Sequence, residues 1–287
     1  MSGLRVIDSH VHFWDPSVLR YPWLAEAPAL GAPFLPADFA PLTSGEVDAV
    51  VFVEANPAPE LAADEVAWVD LLAEAEPRIA GIVAFVDLLD EPRRDAALAR
   101  LKRTSRVVGV RHNIQQQPSG FALQPAFVRG VQLVGASGRP FDLCCTADQL
   151  DEIIELVKRC PDASFVLDHC GKPAIRDDAF EAWADGLEHL ASHDRVSCKI
   201  SGLLTEARED QRTVDALGRW IDRVRDCFGP SRLLYGSDWP VSTLGGGADL
   251  WRSIVVAITA SWSETERRAL FADNASRIYG LSLPAHV

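Results

Sequence analysis

Residues 4–12, with the sequence LRVIDSHVH, join an apolar stretch to two histidines. His10 and His12 are two positions apart, so on a β-strand both imidazoles point to the same face. A strand that ends in this way aims two metal-binding or proton-transferring groups at one point. Two later apolar stretches also stop at such residues, one at residues 168–169 and the other at Asp238. We therefore expect one site, assembled at one end of a barrel.

Eight short apolar stretches, rich in β-branched residues, have the character of strands that are buried on both faces. They are Leu4–Ile7, Ala49–Val53, Ile79–Val86, Val107–Val110, Pro140–Cys144, Ser164–Leu167, Val196–Ile200 and Leu233–Tyr235. Segments with apolar residues at helical spacing lie between them. This alternation predicts a single (β/α)8 TIM barrel in which residues 1–287 form one domain. A doubly wound open sheet is the alternative, but polar residues follow so many strands that the barrel is favoured.

One connection departs from the alternation of strands and helices. Residues 15–41 contain six prolines together with Trp23, Phe34 and Phe39, and they follow directly after Trp14. Prolines at this density disfavour a full helix, because each removes a backbone donor and fixes its own φ. We predict an ordered, aromatic loop over the mouth of the barrel.

The composition is that of a globular protein, with 48% hydrophobic and 24% charged residues and a formal net charge of −13. The negative charge argues against nucleic acid and anionic membranes as partners. The chain shows neither a signal-peptide pattern nor a charge-free apolar stretch of about 18 residues, so we predict a cytoplasmic protein. The six cysteines form no C-x-x-C pair, and we interpret them as buried, reduced thiols rather than nucleophiles.

Four residues at the ends of predicted strands are candidates both for catalysis and for metal binding: His10, His12, His169 and Asp238. Neutral imidazoles bind divalent metals, and several together bind far better than one. A carboxylate that faces such a cluster can take a proton from water and return it to a leaving group. We therefore assign this role to Asp238. Asp8 has the same parity as His10 and should lie one step deeper, where a supporting role suits it.

Five further residues are candidates for binding a substrate: Trp14, Glu54, Asn56, Arg111 and Lys172. Arg111 presents a fixed fork of donors for an anion or a hydroxyl. Glu54 and Asn56 follow the second strand and would contact substrate hydroxyls or the waters of a metal ion. Lys172 would stand at the rim, and Trp14 would belong to the covering loop. His112 alternates with Arg111 and should point away from the barrel axis.

The predicted ends of the fourth and fifth strands lack the residues that a second metal ion requires. The fourth strand offers no lysine that carbamylation could turn into a bridge between two ions. The fifth, Pro140–Cys144, offers no histidine. We expect one divalent ion or none.

Four segments resemble the amidohydrolase superfamily in their order and spacing: DSHVHFWDP, DHCGKP, CKISGL and LLYGSDWPV. The resemblance runs from about Leu4 to Leu281 and includes FADNASRIYGL, which is similar to the last helix of the family. Within the superfamily, these segments look like the branch that hydrolyses sugar-acid lactones. That branch includes the L-fucono-1,5-lactonase, L-rhamnono-lactonase and L-galactono-lactonase types.

The resemblance implies a (β/α)8 barrel that opens a sugar-acid lactone, with L-fucono-1,5-lactone as the first candidate, to its aldonic acid in carbohydrate catabolism. It implies a site built from His10, His12, His169 and Asp238, and a single zinc ion that is weakly held or dispensable. The alternative function is a metal-dependent decarboxylase of an aromatic or unsaturated carboxylic acid. A sugar-binding barrel without turnover is a third possibility, which the retained site residues disfavour.

Overall fold

The computed structural model describes residues 4–101 and 103–283. Its strands are β1 (Ile7–Val11), β2 (Ala49–Val53), β3 (Ile79–Phe85), β4 (Val107–Arg111), β5 (Phe141–Leu143), β6 (Phe165–Leu167), β7 (Val196–Ile200) and β8 (Leu233–Tyr235). Each strand pairs in parallel with the next, in the order β1 to β8. The two edges of the sheet meet, because His10 O accepts from Asp238 N at 2.9 Å and Trp239 O accepts from His12 N at 2.7 Å. The predicted barrel is confirmed, and the open-sheet alternative is wrong.

Helices connect the strands around the outside of the barrel. They are α1 (Ala40–Thr43), α2 (Ala62–Ala75), α3 (Glu91–Leu101), α4 (Pro125–Ala136), α5 (Leu150–Arg159), α6 (Phe180–Ala191), α7 (Leu203–Glu206), α8 (Val214–Phe228), α9 (Gly247–Ile258), α10 (Glu264–Arg268) and α11 (Asn274–Tyr279). Side-chain caps fix the starts of two of these helices. Thr213 caps the start of α8 by accepting from Ala216 N at 3.2 Å, and Ser263 and Glu266 form a capping box at the start of α10.

The first strand begins later than the apolar pattern predicted. It spans Ile7–Val11 rather than Leu4–Ile7, so Asp8 and His10 lie within the strand. Polar residues are accommodated there because they are hydrogen-bonded: Asp8 Oδ1 accepts from Ser237 N at 2.8 Å and from His10 N at 3.2 Å. Asp8 thus ties the first strand to the end of β8, where the barrel closes.

Two apolar layers support the barrel. The larger one lies between strands and helices and contains residues such as Phe52, Phe141 and Trp183. The smaller one joins alternate residues of the strands to α11: Ile7, Val51, Val83, Val166, Leu234, Ala275 and Tyr279. These strand residues alternate with those of the outer layer, so they fill the interior of the barrel. The functional polar groups are left to the opposite, carboxyl-terminal end of the strands.

Residues 15–41 form the predicted ordered loop. It is built from short 3₁₀ turns: Pro22–Ala25, Pro28–Leu30 and Pro36–Asp38. Trp14 Nε1 donates to the carbonyl oxygens of Leu30 and Ala32, each at 3.1 Å. Trp23 Nε1 donates to Ala55 O at 2.7 Å, which fastens the loop to the segment that follows β2.

The cysteines form no disulfide bonds with one another. All six cysteines are free, five are buried and Cys227 is half-buried, which agrees with their interpretation as reduced thiols. Burial raises the pKa of the Cys144 thiol, so it is protonated and a poor nucleophile at neutral pH.

Among the described residues, no helix has the length and apolar character that crossing a membrane requires.

Candidate active site

Three imidazoles converge on one carboxylate at the carboxyl-terminal ends of the strands. The Nε2 atoms of His12, His10 and His169 lie 3.4, 3.8 and 3.8 Å from Oδ1 of Asp238. All four side chains are almost fully buried. The structure therefore brings together the four residues that the sequence singled out for catalysis and metal binding.

The backbone is strained where two of these residues are placed. His169, which follows β6, has φ +54°, and Asp238, which follows β8, has φ +58°. Non-glycine residues seldom adopt such angles, and they persist only where the surrounding structure holds them. Such strain clusters at functional sites. Here the two strained residues bring their side chains within 3.8 Å of each other.

The outer nitrogens of two imidazoles are held by neighbouring groups. His12 Nδ1 lies 2.8 Å from Val53 O, and since a carbonyl only accepts, this nitrogen carries the proton. The Nε2 lone pair of His12 then faces Asp238. His169 Nδ1 lies 2.9 Å from Ser201 Oγ, which fixes the orientation of that ring. Metal-binding histidines are typically supported in this way at the nitrogen that does not bind the metal.

Burial and mutual charge set the protonation of the cluster. Burial lowers the pKa of His169 to about 4 and holds the pKa of His10 well below its usual 6.5. Burial alone would raise the pKa of Asp238, but His169, His12 and His10 outweigh it and hold this pKa below the usual 3.8. At neutral pH, His10 and His169 are therefore neutral beside an ionised carboxylate.

These residues fit a single divalent ion. The ligand atoms of His10, His12 and Asp238 lie within 4.8 Å of one another, all on buried side chains. Ligands of one zinc ion stand about 2.1 Å from it, so small side-chain shifts would close this set on an ion. Imidazole nitrogens with one carboxylate oxygen are a donor set that suits zinc.

Arg111 and Glu54 pair with each other at the base of the site. Arg111 Nε donates to Glu54 Oε1 at 2.6 Å, and Arg111 Nη1 donates to Asp168 Oδ2 at 3.1 Å. Glu54 is fully buried, and its Oε2 accepts from Asn56 N at 2.7 Å. Glu54, predicted to contact substrate, thus has its carboxylate engaged by the guanidinium and a backbone N–H.

A pocket of about 410 Å³ opens above the cluster. Among the five predicted substrate residues, four line it and Glu54 does not: Trp14, Asn56, Arg111 and Lys172. Trp23, Val241 and Leu244 add apolar surface to the lining. Pockets of this size and mixed polarity suit small ligands that need both shape and orientation.

Gln115 is a pocket residue that sequence reasoning missed, and Asn113 is one to which it assigned no role. Positions 111, 113 and 115 are two residues apart, so on an extended backbone their side chains point to the same face. This spacing could have predicted both residues. Gln115 Oε1 accepts from Lys172 Nζ and so holds the lysine against the pocket lining. His112 turns away, as predicted, and its Nδ1 accepts from Leu88 N at 3.1 Å.

The depressed pKa of His169 predicts that this residue makes the metal-free protein less stable below pH 6.5. Folded, His169 stays neutral down to about pH 4, whereas the unfolded chain gains the proton near pH 6.5. In this interval the unfolded state binds more protons at this position, so His169 alone lowers the free energy of unfolding by about 2 kcal/mol between pH 6.5 and pH 5. Urea unfolding at pH 7 and pH 5 measures the change for each protein. From pH 7 to pH 5, the free energy of unfolding should fall by about 2 kcal/mol less in His169→Asn than in the wild type, and the exposed control His189→Asn should match the wild type. An equal change in all three proteins would contradict the linkage.

Close packing behind His169 supports a second prediction. Gly202 has φ +69°, and a Cβ at this position would lie 2.6 Å from His169 Nδ1. Gly202→Ala should push the imidazole away from Ser201 and lower kcat/KM by roughly tenfold to a hundredfold, because small displacements of catalytic groups are costly. Gly138→Ala is the matched control, since Gly138 has φ +78° and open space around its Cβ position. Similar kinetic losses in both variants would show that backbone strain alone is responsible.

The amidohydrolase family model matches residues 7–281, and the chain belongs to this family. The L-fucono-1,5-lactonase of Burkholderia multivorans is 35% identical to it over 99% of each chain. Two crystal structures of an amidohydrolase from Burkholderia multivorans are 33% identical and cover 97% of this chain and 100% of their own. The form with bound HEPES has a TM-score of 0.87, and the form with bound zinc has a TM-score of 0.85.

Proposed function

We propose that this protein is a lactonase that hydrolyses sugar-acid lactones to aldonic acids, with L-fucono-1,5-lactone as the first candidate substrate. The observation that carries the proposal is the ionised Asp238 among three imidazoles beneath a pocket of mixed polarity. The 35% identity to a lactonase of this specificity over 99% of both chains supports it. One domain suffices for the activity, because strands from both ends of the chain supply the site.

Asp238 acts first as a base and then as an acid. Its carboxylate takes a proton from a water molecule, and the resulting hydroxide attacks the lactone carbonyl carbon. The carbon–oxygen bond to the ring oxygen then breaks, and Asp238 returns the proton to that oxygen as the ring opens. Since the pKa of Asp238 lies below its usual value, the base form is already present at neutral pH.

Imidazoles whose proton is on Nε2 stabilise the negative charge that develops on the carbonyl oxygen, a role open to His10 and His169 but not to His12, whose proton is on Nδ1. Preorganised groups of this kind in a buried site contribute much of the rate enhancement in acyl transfer. His10, His12, His169 and Asp238 would also hold one divalent ion, with zinc the first candidate. When bound, such an ion supplies Lewis-acid polarisation and lowers the pKa of water.

The pocket side chains hold the sugar hydroxyls and cover the ring. Burial would lower the pKa of Lys172, but Cys144, Asp238 and Glu206 outweigh it and raise this pKa, so the side chain is charged. Lys172 and Asn56 therefore offer donors from the pocket lining. Trp14 is fully buried and its N–H is engaged by two loop carbonyls, so it shapes the pocket wall.

Proton release on a panel of aldonolactones, led by L-fucono-1,5-lactone, tests the proposal. The panel is run with enzyme as purified and with enzyme treated with a chelator. Rapid hydrolysis of one stereochemical group is expected and would name the substrate, and the chelator arm would decide whether a metal is needed. If neither sample releases protons with any lactone of the panel, and carbon dioxide is released from aromatic acids, the proposed lactonase function would give way to the decarboxylase function.

A further inference from the structure

His10 differs from the other two imidazoles because buried cations approach both of its ring nitrogens. Lys199 Nζ lies 3.2 Å from His10 Nδ1, and Arg111 Nη1 lies 3.5 Å from His10 Nε2. Asp168 Oδ1 also approaches Nδ1, at 3.3 Å. His12, in contrast, meets an uncharged carbonyl at its outer nitrogen.

Lys199 is a fully buried residue of β7 with carboxylates on two sides. Its Nζ lies 2.6 Å from Asp142 Oδ2 and 2.9 Å from Asp168 Oδ1, and Tyr279 donates to the same Asp142 oxygen at 2.7 Å. Burial would lower the pKa of Lys199, but Asp142 and Asp168 outweigh it and raise this pKa. The ammonium group is therefore charged, and it can only donate.

A neutral imidazole has one N–H and one lone pair, and His10 must divide these among its neighbours. If Nδ1 accepts from Lys199, the proton is on Nε2 and no lone pair faces the pocket. If Nδ1 instead donates to Asp168, the Nε2 lone pair faces the N–H of Arg111. In either arrangement, a metal ion at His10 Nε2 competes with a proton or a cation.

The carboxylate behind His10 is also shared. In metal sites, a carboxylate that accepts from the outer nitrogen of a histidine raises the basicity of that ligand. Asp168 is in the position to do this, but it simultaneously pairs with Lys199 at 2.9 Å and Arg111 at 3.1 Å. The two cations therefore partly neutralise the negative charge of Asp168 that would otherwise strengthen His10 as a ligand.

We propose that Lys199 is a positioning residue that weakens metal binding at this site by acting through His10 and Asp168. The proposal rests on the assignment of His10 to the metal site in the proposed function. It predicts that removing the ammonium charge tightens metal binding, whereas a merely structural role would loosen it. The direction of the change is therefore diagnostic.

The test compares the zinc affinity of three metal-free proteins by competition with a chromophoric chelator. The double variant Asp142→Asn with Lys199→Met removes one cation and its carboxylate partner together, which leaves the buried charge balanced. Zinc should bind this variant at least about tenfold more tightly than the wild type, the scale on which outer contacts tune metal affinity. Asp142→Asn alone is the matched control, since it keeps Lys199, and its zinc affinity should be unchanged or weaker.

Equal or weaker zinc binding by a folded double variant would overturn the proposal, as would tighter binding by both variants. If the double variant does not fold by circular dichroism, Lys199→Gln replaces it, because the amide retains a donor and loses the charge, and the same outcomes apply. The two proposals can fail independently, because zinc affinity is measured without any lactone. If the lactone panel shows no turnover, the proposed function fails and the zinc result still stands. If zinc affinity is unchanged in the double variant, the role of Lys199 is overturned and the hydrolysis result still stands.

Discussion

Replacing Asp238 by asparagine should lower kcat/KM for the best lactone by about a thousandfold or more. The amide occupies nearly the same volume, but it cannot take a proton from water or carry one to the ring oxygen, and general acid–base catalysis commonly contributes about a hundredfold to ten-thousandfold. The substitution also removes the anion that the three imidazoles surround. Initial rates of proton release, with substrate above and below KM, measure the effect.

Asp249→Asn is the matched control, because Asp249 is an exposed carboxylate in α9 and is not among the residues that line the pocket. Its kcat/KM should stay within about twofold of the wild type. Circular dichroism and thermal melting should show that Asp238→Asn is folded. Substantial turnover in a folded Asp238→Asn protein would remove Asp238 from the proposed chemistry.

Replacing Lys199 alone by methionine should lower the free energy of unfolding by about 3–5 kcal/mol, the usual cost of breaking a buried ion pair from one side. The loss would leave Asp142 and Asp168 in the barrel without the ammonium group that lies 2.6 and 2.9 Å from them. Two buried carboxylates without this partner either remain charged at a high cost or take up protons. Urea unfolding at neutral pH measures the difference.

Lys158→Met provides the control for this prediction, because Lys158 is exposed near the end of α5. Its effect should lie within about 0.5 kcal/mol. Adding Asp142→Asn to Lys199→Met should recover part of the lost stability, since one stranded charge is then gone. If the single variant is as stable as the wild type, the buried ion pairs do not have the energetic importance assigned to them.

The barrel could be predicted from the sequence because its strands are short, apolar and regularly spaced. Strands β2, β7 and β8 begin and end at the predicted residues. The first strand is displaced because its interior is polar: Asp8 and His10 are buried by virtue of their hydrogen bonds, which an apolar pattern does not reveal. Hydrophobicity locates a strand well only where apolar side chains fill it.

The four residues proposed for the centre of the site could be expected to lie together because each follows a predicted apolar stretch. Glu54 matches the same pattern, but the pattern does not reveal that its carboxylate pairs with Arg111. Sequence reasoning assigned no role to Lys199, Asp142 or Tyr279, whose contacts join three distant parts of the chain. Sequence periodicity gives the face of an element, but it does not say which charges meet inside a closed barrel.

The closure of the barrel imposes an order on how this protein can be made. The hydrogen bond from Ser237 N to Asp8 Oδ1 joins residues 229 positions apart. At about 5–20 residues per second, a ribosome needs roughly 10–45 seconds to pass from one to the other. During that interval β1 has an unpaired edge, a feature prone to pairing with other chains. His10 and His12 are thus made early, but no growing chain can be active before its eighth strand has emerged.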